Sequence, residues 1–72
     1  MHQELDYGKL GIQIKKARQA KHLTQEMLAE KAGLSRQTIS KIENNEEVSV
    51  NAKTIVKISE VFGVSPGDIF LF

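Results

Sequence analysis

The sequence predicts an all-α fold, a compact five-helix domain that spans residues 1–72. Three observations lead to this prediction. Apolar residues recur at the three- and four-residue spacing of an amphipathic helix, and no stretch shows the alternation of a β-strand. Residue types that cap helices stand at the ends of these apolar segments. The chain has no cysteine, so helix packing has to stabilise it without disulfides or thiolate metal sites.

The first helix is predicted over about residues 8–21 and the second over 25–32. From Leu10 onwards, the apolar positions of the first helix follow i, i+4 and i+7 spacing. Thr24 is placed to cap the second helix, because its hydroxyl can accept a hydrogen bond from a first-turn N–H. Gly33 can adopt the left-handed conformation that ends a helix. A short turn therefore separates the second helix from the third.

The remaining helices are predicted over about residues 36–44, 52–62 and 66–70. Each follows a residue type that caps helix N-termini, and Pro66 occupies the first position of the last helix, where its missing N–H is tolerated. Between the third and fourth helices, the segment 45–50 breaks the helical period and is predicted to be a loop. The predicted caps are Ser35, Asn51 and Ser65.

The third predicted helix has one apolar and one polar side. Ile39 and Ile42 point to the predicted core, and no large aliphatic or aromatic residue lies on the opposite face. Such a face is poorly suited to packing on a protein core, but its side chains can hydrogen-bond base edges and phosphates. The residues on or beside this face are Arg36, Gln37, Thr38, Ser40, Lys41 and Asn44.

The turn before this helix has the steric pattern of a helix-turn-helix motif, which is predicted over residues 25–44. Ala29 is small where the third helix crosses the second, Gly33 allows the chain to reverse, and Ile39 is the apolar residue that faces Ala29. Each of these positions meets a different steric demand, so their spacing favours this motif over an unrelated helix pair.

Charge is unevenly distributed along the chain. The net charge is only +1, but residues 7–42 hold eight basic and two acidic side chains, a net charge of +6. Residues 43–72 carry a net charge of −3. A polyanion would be attracted to the basic segment. Together with the polar face of the third helix, this asymmetry indicates nucleic acid as a partner.

The stretch LTQEMLAEKAGLSRQTISKIENN resembles the helix-turn-helix region of the lambda-repressor-like, Cro/Xre family of DNA-binding domains. The similarity extends over residues 9–70 and includes the upstream IKKARQAKHLTQ and the downstream TIVKISEVFGVSPGDIF. It implies a sequence-specific transcriptional regulator, a repressor, that binds a double-stranded DNA operator as a homodimer. The third helix would read the major groove.

The resemblance also implies roles for individual residues. Gln25 matches the position where the family contacts a phosphate and braces the third helix. Arg18 and Glu43 match a pair that forms a partly buried ion pair between the first and third helices in the family. The positions that read bases or line the groove are Arg36, Gln37, Thr38 and Lys41, and those near the sugar–phosphate backbone are Ser35 and Asn44.

The loop after the third helix departs from the family pattern. Where the family commonly has Gly and basic residues followed by Pro, this chain has Asn45, Glu46 and Glu47. The two carboxylates would repel phosphates, so no DNA contact is expected from this loop. Asn45 can still adopt the left-handed conformation.

The hydrophobic C-terminal residues leave two alternatives open. Phe70, Leu71 and Phe72 exceed what so small a domain easily buries, so we predict that they form the dimer interface. The alternative is that they fold back onto the core of the monomer. An alternative function is a protein-interaction module, such as an antitoxin, whose main partner is another protein.

Other functional classes are not expected. No carboxylate pair, nucleophile–base pair or glycine-rich phosphate loop indicates an enzyme, and no cofactor is expected. His2 and His22 are far apart in sequence, so no metal site is expected either. No apolar run approaches 18 residues and the N-terminus lacks the pattern of a signal peptide, so we expect a cytoplasmic protein without a membrane partner.

Overall fold

A computed structural model describes residues 7–46 and 50–70 of the protein. Within these residues there are four α-helices and no β-strand. The chain ends in a 3₁₀ helix, Pro66–Phe70, which packs against α1 and α4. The α-helices are α1 (Tyr7–Ala20), α2 (Gln25–Ala32), α3 (Arg36–Glu43) and α4 (Ala52–Phe62).

The prediction of five helices is corrected at its last element. The α-helical bounds differ from the predicted ones by at most one residue, but Pro66–Phe70 is a 3₁₀ helix. Its first hydrogen bond runs from the Asp68 N–H to the Ser65 carbonyl, at 3.0 Å, which is the i+3 spacing of a 3₁₀ turn. A five-residue segment is too short to build the i+4 ladder, and Gly67 favours helix propagation least among the non-proline residues.

The three α-helices after α1 have the predicted N-terminal caps. The Thr24 hydroxyl accepts a hydrogen bond from the Met27 N–H at 3.0 Å, and the Ser35 hydroxyl accepts one from the Thr38 N–H at 3.1 Å. The Asn51 side-chain oxygen accepts from the backbone N–H three residues on, at 2.9 Å. Each cap satisfies a backbone donor that the helix itself leaves unpaired, so each fixes where its helix begins.

The turn between α2 and α3 determines how the two helices cross. Gly33 has a φ of 69°, the left-handed conformation that a residue with a side chain adopts at a steric disadvantage. The Leu34 N–H then donates to the Ala29 carbonyl at 2.8 Å and closes the end of α2. Ser35 follows at once as the cap of α3, so α3 begins three residues after Gly33.

The core lies where the four α-helices meet, with the 3₁₀ helix closing one end. Ala29 and Ala32 of α2 are buried in it and let α3 and α4 approach closely. Ile69 anchors the 3₁₀ helix because its side chain is fully buried. The other large side chains that are almost completely buried are Leu10, Ile14, Leu28, Ile39 and Ile58.

A close contact between α1 and the C-terminal end of α3 depends on Gly11. The backbone of α3 passes so near that a methyl group on Gly11 would overlap the Ile42 carbonyl oxygen and lie 3.1 Å from the Glu43 carbonyl oxygen. Both neighbours are backbone atoms, which cannot rotate away as a side chain can. Gly11 therefore sets the distance between α1 and α3.

The described helices are short. The longest is α1 with 14 residues, and none of the helices within residues 7–46 and 50–70 is both long and apolar enough to cross a bilayer.

Candidate nucleic-acid interface

The polar side of α3 faces solvent. Ile39 and Ile42, on its other side, are 0% and 4% exposed, so they hold the helix against the core. Arg36 and Gln37 are exposed at its N-terminal end, where a helix that enters a groove end-on would make contact. Along the same side, Thr38, Ser40 and Lys41 are half-buried and Asn44 is exposed.

Two hydroxyl groups are held together at the N-terminus of α3. The Ser35 Oγ accepts the Thr38 N–H and also lies 2.9 Å from the Thr38 Oγ1, so the two hydroxyls share a hydrogen bond. This contact fixes the rotamer of Thr38 beside Gln37. At the other end of the helix, the Asn44 Nδ2 donates to the Ser40 Oγ at 3.3 Å.

The buried side of α3 is fixed by an ion pair with α1. The Arg18 Nε lies 2.7 Å from the Glu43 Oε2, and the Arg18 Nη2 donates to the Glu43 Oε1 at 2.9 Å. The pair is therefore bidentate, and the two residues are only 9% and 8% exposed. Arg18 also donates from Nη1 to the Leu23 carbonyl at 2.7 Å, so one guanidinium joins α1, the loop before α2, and α3.

Gln25 completes this network from the first position of α2. Its Nε2 donates to the Glu43 Oε1 at 3.1 Å, so Glu43 accepts hydrogen bonds from both α1 and α2. Within the described residues this is the single hydrogen bond of the Gln25 side chain. One of its amide hydrogens and its carbonyl oxygen therefore remain available to a ligand at the surface.

The ion pair also determines which charges reach the surface. The hydrogen bond to Glu43 raises the pKa of Arg18 above its ordinary value, burial opposes this effect, and the negative charge of Glu43 reinforces it. Arg18 is therefore always protonated, and Glu43 neutralises it inside the domain. The exposed positive charge near the polar face of α3 comes from Arg36 and from the partly exposed Lys41.

An open groove of about 420 Å³ lies beside the N-terminus of α3, and sequence reasoning missed it. It brings Gln25 and Arg36 together, with His22 and Thr24 on the same wall. His22 has a φ of 57°, an uncommon conformation for a residue with a side chain, and this turn directs the loop toward α2. The sequence carries no clear signal for it, because Gly or Asn is the usual residue at such a position.

Most of the predicted DNA-contacting residues lie at one groove and along one side of α3. Gln25 and Arg36 line one groove, and Arg36, Gln37, Thr38, Ser40 and Lys41 follow the outer side of α3, with Ser35 and Asn44 at its two ends. Asn45 is left-handed, with a φ of 59°, and Glu46 beside it is exposed. Glu47 lies outside the described residues, as do Leu71, Phe72 and the side chain of Phe70, to which we assigned the dimer interface.

Comparisons with known proteins agree with this geometry. A protein-family model described as Helix-turn-helix matches residues 14–69, more than three quarters of the chain. An uncharacterized HTH-type transcriptional regulator of Methanocaldococcus jannaschii is 44% identical over 59 residues, which are 82% of this chain and 88% of that protein.

Two solved structures have the same fold. The N-terminal DNA-binding domain of SinR from Bacillus subtilis superposes with a TM-score of 0.79 at 33% identity, covering 85% of this chain and 88% of that one. A SinR protein/SinI protein complex superposes with a TM-score of 0.77, also at 33% identity. The match covers 83% of this chain but only 58% of the SinR complex chain. The resemblance seen in the sequence is confirmed: this chain belongs to the Cro/Xre-like helix-turn-helix family.

Proposed function

We propose that this protein is a transcriptional regulator that binds double-stranded DNA at specific sequences and reads the major groove with α3. The observation that carries the proposal is the exposed polar side of α3, held rigidly from behind by the hydrogen bonds of Arg18 and Gln25 to Glu43. The similarity to a transcriptional regulator and to the DNA-binding domain of SinR supports it.

Base recognition is assigned to the first turn of α3. Arg36 and Gln37 are exposed there and extend from a helix end that the Ser35 cap fixes. An arginine can donate two hydrogen bonds to guanine O6 and N7, and a glutamine can pair with adenine N6 and N7. Thr38, Ser40 and Lys41 lie further along the same side, where they would line the groove.

Contacts to the DNA backbone are assigned to residues around this helix. Gln25 stands at the N-terminus of α2, where unpaired backbone N–H groups and the helix dipole favour a phosphate. Its remaining amide hydrogen would donate to that phosphate while Glu43 holds the side chain in place. Ser35 and Asn44 are exposed at the two ends of α3 and would reach the sugar–phosphate backbone.

We propose that the protein binds as a homodimer, which the small size of the site supports, and that it represses transcription. α3 has eight residues, so it extends about 12 Å and covers too few base pairs to select one operator. Two copies on half-sites roughly 34 Å apart, one helical turn, would double the number of base pairs read. A dimer bound in this way excludes other proteins from the promoter, and this steric exclusion is the mechanism of repression that we propose.

Selection of bound sequences from random duplex DNA tests this function. Enrichment of a two-fold symmetric motif, with half-site centres 10 to 11 base pairs apart, is the expected result. A recovered pool without any preferred sequence would contradict sequence-specific binding.

The second candidate function is a protein-interaction module or antitoxin. It is favoured by one observation, the match to the SinR protein in its complex with SinI. If the selected DNA pool shows no sequence preference and the affinity for DNA does not change with salt concentration, this alternative is favoured over the DNA-binding function.

A further inference from the structure

A second concave surface lies on the other side of the domain from α3. It runs between the C-terminal half of α1 and the end of α4 and has a volume of about 460 Å³. It is lined by three apolar residues, Ala17, Ala20 and Phe62, which we call its floor, and by two lysines, Lys16 and Lys21, which we call its rim. We call this surface the α1–α4 groove. Only the edge of Phe62 reaches it, since that side chain is otherwise buried in the core.

Geometry separates the α1–α4 groove from the proposed DNA-binding surface. Gly11 and Arg18 mark the side of α1 that faces α3, through the close backbone contact and the ion pair. At 100° per residue, the side that bears Lys16 and Ala20 lies roughly 170° away around the helix axis. A ligand in the groove would therefore leave the outer side of α3 accessible.

Within residues 7–46 and 50–70, the charged residues that line the groove, Lys16 and Lys21, are both basic. α1 contains four basic residues and no acidic one, and the base that is internally neutralised, Arg18, faces away from the groove. Lys16 and Lys21 are exposed, and neither forms an ion pair with any residue within 7–46 and 50–70. The exposed acidic residue nearest to Phe62 in sequence, Glu60, lies two positions away and so points to the opposite side of α4.

The combination of an apolar floor and a basic rim selects one kind of ligand. DNA phosphates would satisfy the two lysines but would leave the alanine and phenylalanine surface without an apolar contact. An apolar segment without charge would fill the floor and leave the lysines unpaired. An amphipathic helix that has large apolar residues on one side, flanked by carboxylates, satisfies both.

We propose that the α1–α4 groove is the docking site for an acidic amphipathic helix of another protein. Its apolar side chains insert against Ala17, Ala20 and Phe62, and its carboxylates pair with Lys16 and Lys21. Lys16 lies in α1 and Lys21 directly follows its last residue, so the two are about 7.5 Å apart along the helix axis, which matches carboxylates one to two turns apart on the docked helix. The site does not depend on DNA binding, and a protein bound there would be brought to the operator together with the regulator.

Synthetic peptides test the proposal directly. The probe is a 16-residue helix-forming peptide with leucine and phenylalanine along one side and glutamate beside them. One control peptide replaces each glutamate by lysine, and a second replaces each apolar residue by alanine. Isothermal titration calorimetry should show binding of the acidic peptide at least tenfold tighter than that of either control. Amide NMR shifts should change at Ala17, Ala20, Lys21 and Phe62 and not along α3.

Two sets of variants locate the site. Ala20→Gln places a larger neutral side chain in the groove at an exposed helix position, so it should weaken acidic-peptide binding at least tenfold and change DNA affinity less than twofold. Ala52→Gln, at an exposed position at the start of α4, is the matched control and should change neither. Lys16→Glu combined with Lys21→Glu should reverse the preference and favour the lysine peptide. Circular dichroism verifies that each variant is folded.

Three outcomes would overturn the proposal. The first is equal binding of the glutamate and lysine peptides to the wild-type protein. The second is a set of NMR shifts that maps to α3, which would mean that the peptide imitates DNA. The third is binding that occurs only after residues 71 and 72 are removed, which would assign the groove to the chain's own C-terminus.

Discussion

Glu43 is the residue through which the proposed recognition helix is positioned. Its carboxylate accepts two hydrogen bonds from Arg18 and one from Gln25, so α1 and α2 both hold the same point on α3. The sequence indicated this pair only through the family resemblance. Composition and spacing alone would treat Glu43 as an ordinary polar residue near a helix end, since long-range pairing is not visible in local patterns.

Replacement of Glu43 should strongly destabilise the domain. Glu43→Ala leaves the Arg18 guanidinium buried without its counter-charge, and breaking such a pair from one side costs about 3–5 kcal/mol. Urea unfolding followed by circular dichroism measures the change. Glu60→Ala, at an exposed position on α4, is the control and should remain within about 0.5 kcal/mol of the wild type. A loss below about 1 kcal/mol for Glu43→Ala would show that the pair does not hold α3.

The contribution of this pair to stability persists at alkaline pH. The pKa of Arg18 is raised in the folded state. The stabilisation that the charged Arg18 contributes is therefore complete below the pKa that this side chain has in the unfolded chain. It is lost only as the pH rises through the higher pKa of Arg18 in the folded state. Both values lie in the strongly alkaline range. Deprotonation of Arg18 therefore does not unfold the domain at any pH where proteins are ordinarily handled.

Base discrimination should depend on Arg36 and Gln37. For Gln37→Ala, binding to the preferred site should weaken by about 1–3 kcal/mol and selectivity should fall at one or two base pairs, because the alanine cannot hydrogen-bond adenine. Arg36→Ala should do the same at a guanine. Fluorescence anisotropy on the selected site and its single-base variants measures both effects.

Gln19→Ala is the matched control for Gln37, since Gln19 is exposed on α1 away from the proposed interface. It should leave both affinity and selectivity unchanged. If Arg36→Ala and Gln37→Ala both selected the same motif as the wild type, the assignment of base reading to these residues would be wrong.

At the scale of secondary structure, local chemistry was sufficient for most of the boundaries. Thr24, Ser35 and Asn51 cap the helices that they were predicted to cap, because a cap depends only on the residue and the three that follow it. The last element was wrong in type, because its short length and Gly67 favour a 3₁₀ turn over an α-helix.

Non-local contacts were beyond prediction. In the sequence, a glycine at position 11 only lowers the helix propensity of the segment. The path of the α3 backbone shows why no side chain fits there. His22 likewise gave no sign of its left-handed conformation or of its place beside Gln25 and Arg36. Both features depend on how distant elements pack.

Gly11→Ala should destabilise the protein although alanine is the better helix former. Helix propensity alone would favour alanine by about 1 kcal/mol. The overlap with the Ile42 carbonyl forces α1 away from α3. Overpacking of this kind typically costs about 1–3 kcal/mol, and we expect this cost to exceed the gain in helix propensity. Thermal unfolding should therefore show a lower Tm.

Gly67→Ala is the matched control, because nothing lies within 4 Å of a methyl group placed at that position. Its effect on Tm should be small. A Gly11→Ala variant that is more stable than the wild type would mean that the distance between α1 and α3 can increase without loss of stability.

For the molecule as a whole, the asymmetric charge distribution should control DNA affinity. If a dimer neutralises about 6–10 phosphates, affinity should fall by about 10³–10⁵-fold between 50 and 200 mM salt. Lys41→Ala and Gln25→Ala should weaken specific and non-specific sites alike, and Lys41→Ala should also reduce the salt slope. Affinity that does not change with salt would contradict the proposed phosphate contacts.

Oligomeric state should depend on the C-terminal residues. Removal of Leu71 and Phe72 should convert a dimer into a folded monomer that no longer binds a two-fold symmetric site, because these residues supply the apolar anchors of the proposed interface. Light scattering over a range of concentrations measures the mass, and circular dichroism reports folding. A wild type that is monomeric at high concentration, or a truncated chain that unfolds, would assign the tail to the core instead.

The division of α3 into a fixed and an exposed side has a consequence for how this regulator acquires new targets. Arg18 and Glu43 cannot change one at a time, since the loss of either leaves the other charged side chain buried without its partner. Arg36 and Gln37 are exposed, so we expect their exchange to change stability little. Thr38 is intermediate, because its hydroxyl is bound to the cap residue Ser35. Under the base-reading role proposed for residues 36 and 37, a library restricted to these two positions is the most economical route to redirecting the protein to a different operator.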